Sequence, residues 1–276
     1  PVFVMVGNQP PFGSREWTKL SGPATVNITN PFLYNTTVTG VTAGSGDVVL
    51  MWSIGTGCAP NSADIVTIRN DAKPTTANAG ADQLNLCAVT STTLAGNIPG
   101  VGNGEWTEVS GDGLGSFLDD TDGGTTFNGT AGEEYVLRWT ISNGVCNDSF
   151  DEVKIRFDQS PSAAVAGADE TVCATSINLK ATAPAIGTGV WSFAPGGNTD
   201  GLGAISDVNS RTSLFTGTAG ESYILRWTIS NGSCVATTDD VQITFDEAPT
   251  TAAAGADQLN LCAVTSTTLA GNIPGV

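Results

Sequence analysis

The sequence predicts an all-β chain built from tandem β-sandwich modules. The first observation is a repeat: AGADQLNLCAVTSTTLAGNIPGV stands at positions 79–101 and again, unchanged, at positions 254–276. A weaker copy, AGADETVCATSINLKA, lies between them at 166–181. Because chemistry does not demand identity at every position, turns included, the repeat indicates a recent duplication inside an array.

Two tryptophans and one cysteine recur in each repeat and set its length. They are Trp17, Trp106 and Trp191; Trp52, Trp139 and Trp227; and Cys58, Cys146 and Cys234. Successive copies lie 85 to 89 residues apart, which is about the size of one β-sandwich domain. The predicted modules are 1–71, which lacks its first strand, 72–158, 159–246, and 247–276, which holds the first two strands of a further repeat. Pro1 corresponds to Thr90 and Val276 to Val101, so we expect a slice of a longer polypeptide.

The third observation is a strand-and-turn pattern without helical periodicity. Short alternating runs are separated by Gly, Asn, Asp and Pro, which is typical of strands and turns. In the second repeat the predicted strands A to G cover 77–86 (broken at 80–82), 91–96, 104–109, 115–118, 125–128, 134–142 and 152–157. Seven strands in one module of this size are typical of an immunoglobulin-like sandwich.

Strand F gives the clearest core pattern, because alternate residues of a strand share one face. Trp106 on strand C stands where immunoglobulin-like folds bury a tryptophan, and Tyr135 stands at the place of a tyrosine corner. The predicted core aromatics are Trp17, Trp52, Trp106, Trp139, Trp191, Trp227, Tyr135 and Tyr223. Leu94 and Leu137 replace the usual B-to-F disulfide, and Val48 replaces the tyrosine in the first repeat. The alternative role for the tryptophans is sugar stacking, but their inward-facing positions favour the core.

Composition excludes several function classes. The net charge is −17 with only ten Lys plus Arg, which argues against nucleic acid and anionic membrane surfaces as partners. No apolar run reaches the roughly 18 residues of a membrane span. With no His in the chain, a Ser–His or Cys–His nucleophile is excluded, and no Gly-rich phosphate loop precedes a helix. The sequence therefore predicts no enzyme and no cofactor.

Each junction between repeats is a short linker that ends in proline: DAKP (71–74), DQSP (158–161) and DEAP (246–249). Proline fixes φ and keeps the preceding residue extended, so such a linker is stiff. The modules should then form an extended, semi-rigid rod in which each module contacts its neighbours in the same chain. At about 3.3 Å per residue, three modules would run on the order of 120 Å.

The motifs AGADQ, LRWTISNG and the closing D-x-V-x-I-x-F resemble the PKD-like and immunoglobulin-like repeats of giant cell-surface adhesins in Bacteroidota. Gliding-motility adhesins of the SprB type are similar, and the similarity covers every repeat. This resemblance implies display at the cell surface after type 9 secretion. It also implies a stalk or filament of an adhesin that serves attachment or gliding motility. Contact with surface glycans or the substratum would then fall to other regions.

Two candidate sites have alternatives. Asp119, Asp120 and Asp122 form the densest carboxylate cluster and are a weak candidate for a calcium site. The alternative is a solvated turn, which is favoured because the third repeat does not keep the cluster. The loop aromatics Phe12, Phe32 and Tyr34 are confined to the first repeat. If any module binds a glycan or protein ligand, which is the alternative to a stalk, we expect it there.

The six cysteines predict disulfides in an oxidising, extracellular compartment, because CxxC pairs and histidine ligands are missing. A within-module scheme would join Cys87 to Cys146 and Cys173 to Cys234. In this fold, however, the end of strand A and the F–G turn lie a domain length apart, and a disulfide needs Cα atoms under about 7 Å apart. Pairing across a junction, Cys87 with Cys234, is favoured; Cys58, Cys146, Cys173 and Cys262 would then bond cysteines outside residues 1–276. The within-module scheme stays open.

Overall fold

The computed structural model describes residues 1–57 and 60–273. Over these residues the secondary structure consists of strands, and no helix there is long and apolar enough to cross a membrane. The chain forms two compact units, Pro1–Leu84 with Thr90–Arg156, and Asn85–Val89 with Phe157–Val276. Each repeat holds two β-sheets, so the chain is an all-β array of tandem immunoglobulin-like sandwiches.

The first repeat contains six described strands. They are β1 (Phe3–Val4), β2 (Ser14–Ser21), β3 (Asn27–Ile28), β4 (Thr37–Thr39), β5 (Val48–Gly55) and β6 (Ser62–Ile68). One sheet has the order β1-β4-β3 and the other β2-β5-β6. Strand β6 pairs with β5 on one side, and no other described strand pairs with it.

The second repeat contains seven strands, which correspond in order to predicted strands A to G. They are β7 (Gln83–Cys87), β8 (Ser91–Thr93), β9 (Asn103–Ser110), β10 (Ser116–Phe117), β11 (Thr126–Asn128), β12 (Glu134–Ser142) and β13 (Ser149–Asp158). The sheets run β7-β13-β12-β9 and β10-β11-β8. Strand A begins later than predicted, because side chains of β13 take the N–H groups ahead of it. Ala77 N donates to Ser149 Oγ at 2.9 Å and Ala79 N to Asp151 Oδ2 at 2.9 Å.

The third repeat has the same architecture. Its strands are β14 (Glu170–Val172), β15 (Ser176–Asn178), β16 (Thr188–Phe193), β17 (Ala204–Ile205), β18 (Leu214–Thr216), β19 (Ser222–Ser230) and β20 (Thr237–Phe245). The sheets run β14-β20-β19-β16 and β15-β18-β17. Strand β14 lies parallel to β20, with Glu170 opposite Ile243. This is the geometry of a first strand added to the edge of the last one.

The eight predicted core aromatics are all buried. In each repeat the tryptophan of strand C lies directly opposite that of strand F, with ring centroids 5.0 to 5.1 Å apart. Leu94 and Leu137 are buried as well. Packing of the inward faces accounts for the burial of these tryptophans.

Tyrosine corners are present in the second and third repeats. The Tyr135 hydroxyl accepts the Thr130 N–H at 2.7 Å and donates to Asp112 Oδ1 at 2.9 Å. The hydrogen bonds with the Thr130 side chain and the Leu114 N–H lower the pKa of Asp112, and burial raises the pKa of the Tyr135 hydroxyl.

The third repeat repeats this corner around Tyr223. Its hydroxyl accepts the Thr218 N–H at 2.9 Å and donates to Asp200 Oδ2 at 2.6 Å. The bonds from Tyr223 and the Leu202 N–H lower the pKa of Asp200. In the first repeat the position is held by Val48, which is fully buried and has no hydroxyl to form a corner.

The last segment differs from the prediction. The first two strands of a further repeat were expected in residues 247–276, yet the described residues 247–273 contain no strand and are exposed throughout. The physical reason is the lack of a neighbour: no described strand lies beside this segment.

Candidate functional site at the repeat junctions

The F–G turn of the third repeat is fastened to the end of β13 by Asp158. The Asp158 side chain is buried, and its Oδ2 accepts the Ser233 N–H at 2.8 Å and the Ser233 hydroxyl at 2.9 Å. The carbonyl oxygen of Asp158 accepts the Ala88 N–H at 2.9 Å. One aspartate thus holds the F–G turn through its side chain and the A–B connection through its backbone.

The asparagine and glycine of the SNG sequence in the F–G turn both take part in this geometry. Asn231 Nδ2 donates to the Gln159 carbonyl at 2.8 Å. Gly232 has φ of +53°, and a Cβ built there would lie 2.3 Å from the Asp158 carboxylate. Both the left-handed backbone and the close approach exclude a side chain at this position.

A disulfide completes the cluster. Cys87 is bonded to Cys234, with an S–S distance of 2.10 Å and Cα atoms 5.1 Å apart. The bond joins the end of β7 in the second repeat to the F–G turn of the third, 147 positions along the sequence. The within-module pairs Cys87–Cys146 and Cys173–Cys234 are not formed, since Cys146 and Cys173 are free.

The preceding junction uses the same parts. Asn143 Nδ2 donates to the Ala72 carbonyl at 2.7 Å, and Gly144, at φ +59°, would place a Cβ 2.3 Å from Asp71 Oδ2. Cys146 Sγ lies 3.6 Å from the Asp71 carbonyl.

The two junctions differ in three respects. Cys146 is free, whereas Cys234, with Sγ 3.8 Å from the Asp158 carbonyl, is bonded. Val145, 93% exposed, stands where the third repeat has Ser233. Asp71 lies 3.3 Å from Arg69 in an ion pair whose arginine is exposed to solvent.

The contacts of the cluster attach the F–G turn to the end of the preceding repeat. Its polar groups are aspartate, asparagine and backbone amides, and the described residues contain no group of three His, Cys, Asp or Glu side chains that could hold a metal. Asp119 and Asp122 instead accept turn N–H groups from Thr121 and Gly124, at 3.0 Å each. Asp119 and Asp122 thus each cap a turn, and calcium binding by Asp119, Asp120 and Asp122 stays a prediction.

The remaining cysteines are placed as follows. Cys146 is half-buried at the first junction, while Cys173 and Cys262 are exposed and free. Cys58 lies outside the described residues.

Sequence reasoning singled out the linkers for their proline and missed their first residue. Asp71 and Asp158 open DAKP and DQSP, and Asn143 and Asn231 stand in the repeated SNG. The signal was available, because all four recur at the repeat spacing. The sequence did not indicate that the linker aspartate of one repeat contacts the F–G turn of the next repeat, which contains the asparagine.

The first-repeat aromatics do not form one cluster. Phe12 and Phe32 are 76% and 59% exposed and border a groove of about 510 Å³, which Arg15, Glu16 and Asn61 also line. Tyr34 is half-buried and packs against the core of the repeat.

No protein-family model matches the sequence, and neither does any curated protein. Solved structures do resemble the fold. The N-terminal eight immunoglobulin domains of Down syndrome cell adhesion molecule isoform 1.30.30 align over 89% of this chain and 34% of that one, with 10% identity and a TM-score of 0.50. Immunoglobulin domains 1–5 of Sidekick-1 align over 92% and 58%, with 13% identity and a TM-score of 0.45. The alignments thus cover less than two thirds of each of these chains, and the likeness to the first shows the immunoglobulin-like fold alone.

Proposed function

We propose that this chain is part of the stalk of a secreted cell-surface adhesin, in which immunoglobulin-like repeats carry load between an anchor and a binding region. The observation that carries the proposal is the Cys87–Cys234 disulfide set in the Asp158–Asn231 cluster. A covalent bond runs from the first strand of one repeat to the F–G turn of the next. In a stalk it keeps neighbouring repeats joined under tension.

Extracellular display fits the same observation. Disulfides persist in oxidising compartments and are rare in the cytosol. The structural neighbour with the highest TM-score quoted above is itself called a cell adhesion molecule. The resemblance of the AGADQ and LRWTISNG motifs extends the proposal to type 9 secretion in Bacteroidota and to surface attachment or gliding motility. Neither a cofactor nor an enzymatic activity is part of it.

A role in carrying tension makes a mechanical prediction. A chain pulled at its two ends carries tension through β7, across the disulfide, and into β20. The residues between Cys87 and Cys234, whose separation is 147, bear no tension. In single-molecule pulling, the fully unfolded chain should therefore be longer by roughly 500 Å of contour length when the disulfide is reduced than when it is intact, at about 3.4 Å per extended residue. Equal contour lengths with and without reductant would contradict the proposal, and Cys262→Ser is the control variant.

A second candidate function rests on the groove beside Phe12 and Phe32. Two exposed aromatic rings next to Arg15, Glu16 and Asn61 could stack against a sugar and hydrogen-bond its hydroxyls. A glycan array probed with the chain tests it. Micromolar binding that is lost in Phe12→Ala with Phe32→Ala, and kept in Phe150→Ala on another repeat, would favour this function over a pure stalk.

A further inference from the structure

The third repeat has a cavity at the edge of its larger sheet. Strand β16 is the last strand of the sheet β14-β20-β19-β16, and no described strand pairs with its outer side. The cavity there has a volume of about 590 Å³, which is within the size range of small-ligand sites. The residues that line it lie in the interior of the sequence, between positions 184 and 227, and include Pro184, Thr188, Val190, Asn209 and Arg211.

The turn between β17 and β18, which forms one wall of the cavity, keeps its backbone contacts from repeat to repeat and changes its side chains. In each repeat the N–H of the strand C tryptophan donates to a carbonyl of this turn, at 2.7 to 2.8 Å: Trp17 to Pro31, Trp106 to Asp120 and Trp191 to Val208. Three residues later a second turn carbonyl accepts an N–H from the end of strand B, and it belongs to Tyr34, Gly123 or Arg211. Because glycine performs the same backbone role, the fold does not need the Arg211 side chain. Loops held by a scaffold in this way commonly carry binding residues.

Arg211 is a cation without an acidic partner. The other two cations of the third repeat form ion pairs at 2.7 Å, Lys180 with Glu170 and Arg226 with Asp240. Among the described residues Arg211 makes one polar side-chain contact, from Nη1 to the Ala181 carbonyl at 3.4 Å. A guanidinium has five N–H donors, so most of them remain available. In a chain of net charge −17, such an arginine beside a cavity favours an anionic ligand.

The polar groups next to Arg211 suit hydroxyl groups. The Trp191 N–H points away from β19, since the Val208 carbonyl accepts it, and the N–H and C=O of Gly189, two residues earlier, face the same side. The Asn209 side-chain amide also lines the cavity. Asp207, the acidic residue of the turn, accepts the Asn209 N–H at 2.9 Å, and no acidic side chain is among the described residues that line the cavity.

The tryptophan at this cavity differs from its counterparts. The indole N–H of Trp52 donates to Asn8 Oδ1 and that of Trp139 to the Asn97 carbonyl, both at 3.2 Å. Trp227 lines the cavity, is 1% exposed, and has no acceptor for its indole N–H among the described residues. The nitrogen is covered by protein atoms, so it is not itself a ligand contact. The third repeat therefore departs from the other two at the wall of this cavity.

The open edge of β16 is too short for an added peptide strand. The strand begins at Thr188, after Gly187 at φ +95°, and from Trp191 onward the turn already accepts an edge N–H. Between these points only Gly189 presents outward backbone groups, whereas strand addition uses a row of main-chain hydrogen bonds. A compact ligand that carries hydroxyls and one carboxylate fits the edge better.

We propose that this cavity binds a hexuronate residue of a polysaccharide. The Arg211 guanidinium takes the carboxylate, and the Asn209 amide and the Gly189 backbone bond the ring hydroxyls. A planar guanidinium can hold a carboxylate through two parallel N–H···O bonds, which separates it from an uncharged sugar. The site lies within one repeat of the proposed stalk and does not depend on the Cys87–Cys234 bond.

Isothermal titration calorimetry of the 276-residue chain with trigalacturonate tests the proposal. We expect binding that weakens as the salt concentration rises. Arg211→Ala should weaken it about 10- to 100-fold, the loss expected for a hydrogen bond to a charged group, with an unchanged melting curve. Arg226→Ala is the matched control and should keep the affinity. The double variant Phe12→Ala with Phe32→Ala should also keep it, which separates this site from the first-repeat groove.

NMR locates the ligand in the same titration. The indole N–H resonance of Trp227 should shift, and that of Trp139, its counterpart in the second repeat, should not. The proposal is overturned by an absence of binding, by equal binding of the uncharged galactotriose, or by tighter binding of a triglutamate peptide. Affinity that survives Arg211→Ala, or a shift of Trp139 without one of Trp227, overturns it as well.

Discussion

Residues 79–101 and 254–276 have the same sequence and different structures. The first copy forms β7 and β8 and buries Ala79 and Leu94, which are 1% and 3% exposed. In the described part of the second copy no strand forms, and Leu269, the counterpart of Leu94, is 81% exposed. The difference lies outside the segment, because β11 and β13 flank the first copy and no described strand flanks the second.

The local hydrogen bonds, in contrast, are the same in both copies. Asn97 bonds the Asn78 N–H and the Thr76 carbonyl, and Asn272 bonds the Ala253 N–H and the Thr251 carbonyl, at 2.7 and 3.1 Å. The sequence therefore encodes the asparagine clamp locally, whereas strand formation depends on a neighbouring edge and burial. This is the context dependence expected of β structure.

The largest effect should come from a charge placed at the buried alanine. Ala79→Arg forces a long cation into a filled site beside β13, which should destabilise the second repeat by more than about 3 kcal/mol. The same change at Ala254, which is exposed, should stay within about 0.5 kcal/mol. Calorimetry together with hydrogen exchange in β7 and β13 measures both. Equal losses of unfolding free energy at Ala79 and Ala254 would show that the two copies do not differ in how deeply this alanine is buried.

The cysteines of the two copies give the next largest contrast. Cys87→Ser removes the bond to Cys234 and should cost about 2–4 kcal/mol, a typical contribution of a native disulfide. Cys262→Ser removes a free, exposed thiol and should leave the guanidinium unfolding midpoint unchanged. Reductant should lower the midpoint of the parent chain to that of Cys87→Ser and have no effect on the Cys87→Ser variant itself.

The asparagine clamp sharpens the comparison, because its hydrogen bonds are matched. Asn97→Ala removes the hydrogen bonds to the Asn78 N–H and the Thr76 carbonyl, which fix the chain ahead of β7, at an expected cost of about 0.5–1.5 kcal/mol. In Asn272→Ala water replaces the side chain, so the change should be within about 0.5 kcal/mol. Exchange protection of the Asn78 and Ala253 amides reports the outcome. A larger loss at Ala253 would contradict our account of why the first copy is a strand.

The same contrast, between local patterns and contacts that need a second segment, explains which features of this molecule the sequence predicts. Period-two alternation located all seven strands of the second repeat, and the recurrence of Trp106 and Trp139 identified the core. These are properties of one segment read by itself. The role of Asp151 in holding Ala79, and of Asp158 in holding Ser233, depends on two segments meeting. The residue pattern within either segment does not indicate that the two segments are in contact. For the same reason the sequence predicted strands in 247–276 and could not supply their neighbours.

The smallest effect is expected in the tyrosine corners, where an aspartate carboxylate is hydrogen-bonded to a buried tyrosine. The described part of residues 254–276 contains no such contact. Hydrogen bonds lower the pKa of Asp112 and Asp200 in the two tyrosine corners. A folded-state pKa below the unfolded value of about 3.9 means that the stabilisation is present above that pH and is lost as the pH falls through the lowered pKa. The melting temperature should therefore drop on acidification below about pH 4. The drop should be smaller in the double variant Asp112→Asn with Asp200→Asn, because an amide does not titrate. Asp257→Asn, a change in the exposed last segment, is the control and should leave the drop unchanged. If both variants follow the parent curve, the tyrosine corners do not set the acid response.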